Sequence, residues 1–190
     1  MKSLPALVVV AVTTMVSAGC SVHERWPYTA EASLGVSYGM TDSDAYRDDR
    51  AAGGMAEALL ARRFHAPDRG GWIGAFSATA WGIAAREADC VSAPSGGCVP
   101  HFPAWGSLAA LAGLETANTN ARVLVGPALA YGDDSERPSN AVPGAMLRLD
   151  GAIPFASRLS LTASFSSLYV PDYFDDSFIN WAFGVGVRIR

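Results

Sequence analysis

Two of the three cysteines lie close enough together to form a disulfide bond. Cys90 and Cys98 flank residues 92–97, a turn-forming stretch of serine, alanine, proline and glycine. In an exported protein such a pair constrains a loop, so we predict a Cys90–Cys98 disulfide. The competing interpretation is a metal site, but no histidine pair or acidic cluster accompanies the two thiols, so we predict no bound metal.

The histidines and serines do not suggest a catalytic group. Nucleophilic catalysis needs a base beside the nucleophile and a third group that orients the base. His101 precedes Ser107 by six residues, His65 lies in a predicted short turn, and His23 lies close to the N-terminal leader. No histidine and serine share the face of one predicted strand. We therefore predict that the protein is not an enzyme and needs no cofactor.

The first residues have the pattern of a bacterial secretory signal. Lys2 supplies the positive charge, residues 4–16 form the apolar core, and residues 16–18 form a small-residue cleavage site. Residues 17–20, Ser-Ala-Gly-Cys, also resemble a lipobox, in which Cys20 would be acylated. We predict a signal peptide at 1–19 and an N-terminal tail at 20–28, and leave open whether cleavage follows Ala18 or precedes Cys20.

Composition sets outer limits on the function. The chain has 190 residues, of which 50% are hydrophobic and 17% charged, and its net charge is −4. An apolar fraction this high excludes a disordered chain. The acidic balance argues against nucleic acid as a partner, because phosphate binding needs a basic surface.

The remainder of the chain is predicted to form eight strands. Four segments alternate clearly between apolar and polar side chains, as strands with two different faces do: 120–131, 142–153, 159–166 and 179–189. Four others alternate less clearly: 29–40, 53–64, 71–85 and 103–116.

The segment 53–64 is ambiguous. Ala56, Leu60 and Phe64 recur every four residues, which is also the spacing of one helix face. Glycines in 71–85 and 103–116 favour strands there, because glycine weakens helix interiors.

The connections alternate in length. Those at 41–52, 86–102, 132–141 and 171–177 are long or acidic, and those at 65–70, 117–119 and 154–157 are short. Long loops at one rim, tight turns at the other and an even strand count are typical of bacterial outer-membrane barrels. Residues 29–190 resemble the small eight-stranded outer-membrane β-barrel family. The resemblance implies an all-β fold, an eight-stranded antiparallel up-and-down transmembrane β-barrel, in the bacterial outer membrane.

The two strand faces predict what fills such a barrel. One face is bulky and apolar, and the other consists of small residues and a few charges. A membrane barrel points its apolar face at lipid, and eight strands enclose a space that side chains can fill. We therefore predict an ion-pair network in the lumen and no general pore, with the charges supplied by Glu31, Glu57, Glu115, Arg122, Arg148, Asp150 and Arg188.

Aromatic side chains fall near the predicted strand ends, where the interfacial girdles of membrane barrels lie. The predicted girdle residues are Tyr38, Trp72, Trp81, Trp105, Tyr131, Tyr169 and Trp181.

The predicted function is a structural or surface-interaction role. Outer-membrane lipid is the expected partner, and the acidic connections could bind divalent cations or surface ligands, although none has the spacing of a calcium motif. The alternative hypothesis is a lipid-anchored periplasmic barrel of the lipocalin type, whose apolar face points inward and binds a small apolar ligand.

Overall fold

The structure is a computed structural model that describes residues 27–42, 50–66, 69–83, 91–92, 98–99, 104–134, 137–173 and 176–189. Within these residues the chain forms ten β-strands and one short 3-10 helix, Ala117–Thr119. The strands are β1 Tyr28–Asp42, β2 Arg50–Arg63, β3 Gly71–Ile83, β4 Val91–Ser92, β5 Cys98–Val99, β6 Ala104–Glu115, β7 Ala121–Asp134, β8 Arg137–Pro154, β9 Leu159–Tyr173 and β10 Asp176–Ile189. No helix among these residues is long and apolar enough to span a membrane.

Eight of the strands form one closed barrel in the order β1-β10-β9-β8-β7-β6-β3-β2. Every neighbouring pair is antiparallel, and β1 closes the barrel against β10. Closure leaves no edge strand, because each of the eight strands pairs with a neighbour on both sides. The predicted eight-stranded antiparallel up-and-down barrel is confirmed.

The register of the strands fixes the size of the barrel. A path through register partners that starts at Tyr28 passes around all eight strands and returns to β1 at Tyr38. This offset of ten residues, with a strand rise of about 3.3 Å and a strand spacing of about 4.8 Å, gives a strand tilt of roughly 40° and a backbone radius of roughly 8 Å. Such an interior is narrow enough for side chains to fill.

Residues 53–64 lie in β2 and the residue after it, which resolves the ambiguity of that segment. Side chains alternate along β2, so Ala56, Leu60 and Phe64, separated by four residues, all point outward. A four-residue spacing is even, and it therefore fits one face of a strand as well as one face of a helix.

The connections divide the barrel into two ends. The chain passes from β2 to β3, from β6 to β7 and from β8 to β9 at one end, which we call the short-turn rim. β1 and β3 end, and β2 and β6 begin, at the other end, which we call the long-connection rim. Two links predicted to be long, 132–141 and 171–177, are instead mostly strand. Asp134 pairs with Arg137, and Tyr173 pairs with Asp176.

The β7–β8 and β9–β10 hairpins extend beyond the apolar part of their strands, because antiparallel pairing satisfies the backbone hydrogen bonds even where the side chains are polar. Each extension includes a register shift, next to Gly132 in β7 and next to Phe178 in β10. The alternation of apolar and polar residues ends where the apolar face ends. The strands predicted from that alternation are therefore shorter than the strands in the structure.

The turn between β6 and β7 shows how the short turns close. Asn118 has φ 63°, a left-handed conformation that asparagine tolerates better than most residues. Thr116 accepts a hydrogen bond from the Ala121 N–H at its hydroxyl oxygen, 3.0 Å, and donates its own N–H to the Ala121 carbonyl, 2.9 Å.

Inward-facing glycines approach the facing backbone most closely at two strand pairs, which we call the seams; at Gly144 an added Cβ would lie farther away, 2.5 Å from the Tyr169 carbonyl oxygen across β8 and β9. A Cβ at Gly113 or Gly126 would collide with a carbonyl oxygen of the facing strand across β6 and β7. A Cβ at Gly35 or Gly186 would do the same across β1 and β10. The seams divide the barrel into two sets of four strands: β1, β2, β3 and β6 in the first half, and β7, β8, β9 and β10 in the second.

Several sequence predictions fall outside the described residues. These include the signal peptide at 1–19, most of the tail at 20–28, Cys20, Cys90, His23 and His101. Of the predicted disulfide, only the Cys98 backbone is described, where it pairs with Ser92 in the β4–β5 hairpin. The disulfide remains a prediction. Tyr28, assigned to the tail, is the first residue of β1.

Candidate functional site

The structure places all seven residues of the predicted network inside the barrel. Each is no more than 6% exposed, and the Arg148 and Arg188 side chains are fully buried. Six of them lie toward the short-turn rim, near the start of β1 and β7 and near the end of β6, β8 and β10, and Glu57 lies in the middle of β2. We call these seven residues, together with Arg63, the lumen charge network.

Arg148 is the most connected residue of the network. Its two terminal nitrogens donate to Glu57 and to Glu31, the latter over 2.5 Å, and its Nε donates to Asp150 over 3.3 Å. The side chain therefore joins carboxylates that come from β1, β2 and β8.

Arg188 connects two of the same carboxylates from the opposite side. Its Nε donates to Glu31 over 3.0 Å, and one terminal nitrogen donates to Asp150. Glu31 and Asp150 each receive hydrogen bonds from two guanidinium groups, so their negative charge is compensated without water.

Glu115 anchors the lower part of the network. It accepts a hydrogen bond from Arg122 Nε over 2.7 Å and one from Arg63 Nε over 2.9 Å. Arg122 also reaches across the lumen and donates to the Thr29 hydroxyl over 2.8 Å. His65 Nε2 lies 3.5 Å from the Glu115 carboxylate, at the short-turn rim.

Arg63 was missed by sequence reasoning, although a signal was present. Glu57 precedes Arg63 by six residues, so the two lie on the same strand face, and strand alternation alone would place Arg63 in the lumen. The helix-like spacing of the apolar residues on the other face of β2 hid that alternation.

Within the described residues, the network balances four carboxylates against four guanidinium groups. Buried charges of this kind are tolerated only when each is paired and hydrogen-bonded. A hydroxyl group adds to the pairing, because Ser77 donates to Glu57 over 2.7 Å. One terminal nitrogen of Arg63 and one of Arg122 find no hydrogen-bond partner among the described residues. The pairing links opposite walls of the barrel and fills the lower lumen.

The upper lumen is apolar. Toward the long-connection rim the interior contains Met55, Trp81, Leu168, Val170 and Phe178, all buried. With the Asn180 amide oriented to satisfy both neighbours, it donates to the Tyr38 carbonyl and accepts from Trp81 Nε1, each over 3.0 Å. This apolar layer lies above the charge network.

No catalytic group comes together among the described residues. Ser107 lies in the lumen, and no partner for its hydroxyl is found there. Residues 35–39 read Gly-Val-Ser-Tyr-Gly, the pattern of hydrolase nucleophile elbows, and sequence reasoning missed it. The structure places Ser37 in the middle of β1, whereas a nucleophile elbow needs a sharp turn between a strand and a helix.

The outer wall, meaning the outward-facing side chains of the eight barrel strands, is apolar. Leu34, Val36, Phe76, Ile153 and Val185 are each more than 60% exposed. Polarity is thus reversed with respect to a water-soluble protein, because charges lie inside and large apolar side chains lie outside.

Aromatic side chains border the outer wall at both ends. Tyr38 stacks on Trp181, with ring centroids 6.1 Å apart, near the long-connection rim, and Trp72 is exposed near the short-turn rim. Tyr28 and Tyr38 are ten residues apart on β1, which corresponds to roughly 25 Å along the axis at the tilt given above. Trp81, predicted as a girdle residue, instead points inward. The Trp105 side chain is not described.

Solved structures with the same topology place this architecture among known proteins. The crystal structure of Neisserial surface protein A (NspA) matches with a TM-score of 0.55 and 15% identity, over 86% of this chain and 96% of that one. The fold is that of a small outer-membrane β-barrel. The N-terminal β-barrel domain of Pseudomonas aeruginosa OprF is also similar, with a TM-score of 0.48, 14% identity and coverage of 86% and 97%. Ail, the attachment invasion locus protein of Yersinia pestis, matches with a TM-score of 0.46 and 16% identity, over 85% of this chain and 98% of that one. No protein family and no curated protein match the sequence.

Proposed function

We propose that this chain is a non-enzymatic integral protein of the bacterial outer membrane. The observation that carries the proposal is the reversed polarity of the barrel, with an ion-pair network inside and an apolar wall outside. A continuous apolar surface of this extent is unfavourable in water, whereas lipid chains accommodate it. The estimated distance of roughly 25 Å between the aromatic borders fits the hydrocarbon band of outer-membrane barrels.

The interior supports a role other than that of a general pore. The charge network occupies the lower lumen and the apolar layer occupies the upper lumen, with Phe178 and Val170 fully buried. A water-filled channel would need exposed polar side chains along the whole lumen. We expect no steady ionic conductance when the purified protein is added to a planar lipid bilayer.

We place the role in structure or surface contact at the long-connection rim. The links there are acidic in sequence, which suits a hydrated surface that could bind divalent cations or cationic surface ligands. Calorimetric titration of the refolded barrel with calcium tests the cation part of this proposal.

Membrane extraction is the decisive experiment. If the barrel itself is embedded in lipid, the protein will stay in the membrane pellet after washing with alkaline carbonate and will leave it only in detergent. Release by carbonate alone would overturn the proposal.

The direction of the side chains does not favour the lipocalin-like alternative. That alternative requires large apolar side chains to line an internal ligand cavity, whereas Leu34, Val36 and Phe76 point outward. Replacing Cys20 by serine separates the two hypotheses. A lipid-anchored soluble barrel would be released by this change, whereas we expect the variant to remain in the carbonate-washed pellet.

A further inference from the structure

One charged side chain interrupts the apolar outer wall. Among the strand residues whose side chains the structure describes, Arg62 is the only charged residue that points outward. An arginine that faces the middle of a bilayer costs about 2–4 kcal/mol, but the cost falls to about 0–1 kcal/mol near the interface. Its position along the barrel axis therefore decides what it can do.

Arg62 lies at the short-turn rim, in the lower aromatic border. It is directly opposite Tyr28, the first residue of β1, in the β1–β2 register. Trp72, at the start of β3, is 65% exposed at the same end of the barrel. This is the depth at which the phosphate groups of one lipid leaflet meet the apolar wall.

Two aromatic rings hold the guanidinium group. The Arg62 Cζ atom lies 5.8 Å from the Tyr28 ring centroid and 5.4 Å from the Phe64 ring centroid, and lies over both rings. The Phe64 ring in turn occupies space above Gly74, where a Cβ would lie 3.4 Å from the ring. The Phe64 ring thus packs against β3 at position 74, beside Arg62.

The charge of Arg62 is not neutralised within the described part of the chain. No described carboxylate forms an ion pair with it, in contrast to the four arginines of the lumen. The rings interact with the face of the guanidinium, while its N–H donors lie in the plane and can reach a planar or tetrahedral oxyanion.

We propose that Arg62, with Tyr28 and Phe64, binds the phosphate of an anionic phospholipid headgroup in the leaflet at the short-turn rim. This inference rests on the proposed membrane location. A guanidinium forms two parallel, charge-assisted hydrogen bonds with a phosphate, and the rings keep it in place for that contact. The lipid chains then lie against the neighbouring apolar wall.

Lipid titration tests the site. The full-length protein, purified in a non-ionic detergent, is titrated with phosphatidylglycerol and, separately, with phosphatidylcholine, and bound lipid is counted by native mass spectrometry. We expect wild type to retain phosphatidylglycerol preferentially. Arg62→Gln should weaken that binding by about tenfold, since a charge-assisted contact is lost. Phe64→Leu should weaken it by about threefold, since one ring contact is lost.

Arg158→Gln is the matched control. Arg158 is an exposed arginine of the β8–β9 turn at the same rim, and no aromatic ring of the described residues lies over it. Its replacement should leave phosphatidylglycerol binding within about twofold of wild type. Equal losses in Arg62→Gln and Arg158→Gln, or no loss in Arg62→Gln, would overturn the inference. Full displacement of the lipid by inorganic phosphate would also overturn it, because the site would then bind the free anion.

The outcome is distinguishable from failure of the proposed function. Carbonate extraction of wild type and of Arg62→Gln reports membrane embedding independently of headgroup binding. If both variants stay in the pellet but bind phosphatidylglycerol equally, only the headgroup site is wrong.

Discussion

At the scale of single residues, Arg148 has the largest consequence in the structure. It is fully buried and donates hydrogen bonds to Glu57, Glu31 and Asp150. A buried ion pair contributes little net stability when it forms. Removal of one partner is nevertheless strongly destabilising, because the remaining charge is left buried without compensation. The importance of the residue thus lies in what its absence would leave behind.

We predict that Arg148→Ala lowers the free energy of unfolding by about 3–5 kcal/mol. The measurement is equilibrium urea unfolding of the barrel in phospholipid vesicles, followed by tryptophan fluorescence. Arg158→Ala, in an exposed turn, is the control and should change the midpoint little. A decrease below about 1 kcal/mol in Arg148→Ala would mean that water reaches the lower lumen and solvates the carboxylates.

At the scale of strands, the seams explain where the barrel cannot accept a side chain. At Gly126 an added methyl group would meet the carbonyl oxygen of Ala110 on β6, and neither backbone can move without breaking the ladder. Gly54 offers a contrast on β2, because an added Cβ there meets nothing within 4 Å.

Gly126→Ala should therefore destabilise the barrel by about 1–3 kcal/mol, the usual cost of overpacking. Gly54→Ala should be neutral or stabilising by up to about 1 kcal/mol, because it reduces the freedom of the unfolded chain. Thermal unfolding of both variants in the same detergent gives the comparison. A midpoint for Gly126→Ala equal to that of wild type would show that β6 and β7 separate easily at this seam.

The predicted disulfide belongs to the same scale, because it would constrain one connection and not the barrel. Closing so short a loop contributes on the order of 2–3 kcal/mol in the chain-entropy description. We predict that Cys90→Ser with Cys98→Ser still folds and still resists carbonate, but is cut faster by protease between residues 86 and 101. Alkylation of the unreduced wild-type protein should label neither thiol, and labelling of both would return the metal site to consideration.

How far the strands could be predicted depended on one signal, the alternation of side chains. It gave the lumen position of Glu57 and Arg188, because each lies on the small-residue face of its segment. It could not give their partners, since the Arg188–Asp150 contact depends on cross-strand register, which no single strand encodes. The prediction that Trp81 lies at the lipid interface was wrong, because it considered how near Trp81 is to the strand end and not which face of the strand Trp81 is on.

At the scale of the whole molecule, reversed polarity makes stability depend on the surroundings. The outer wall gains its burial only in lipid or detergent, whereas the carboxylates of the charge network are paired with arginines inside the barrel whatever the solvent outside. Dilution out of detergent should therefore cause aggregation with the β-structure retained, which circular dichroism and light scattering can follow together. Dilution to a clear monomeric solution would contradict the assigned outer wall.

The two seams have a consequence for how the chain assembles. The first half, β1 to β6, contributes Glu31, Glu57 and Glu115 with the single cation Arg63, and the second half, β7 to β10, contributes Arg122, Arg148 and Arg188 with the single anion Asp150. The lumen charges of the first half are thus mainly acidic and those of the second half mainly basic, and the turn at 116–120 separates the two sets in the chain. The lumen charges of one half find their partners on the other half, so the ion pairs form only when the two halves close on each other and they favour that closure. Two fragments divided at that turn should then associate into a barrel when refolded together in vesicles, and association should fail when the three arginines of the second fragment are replaced by glutamine.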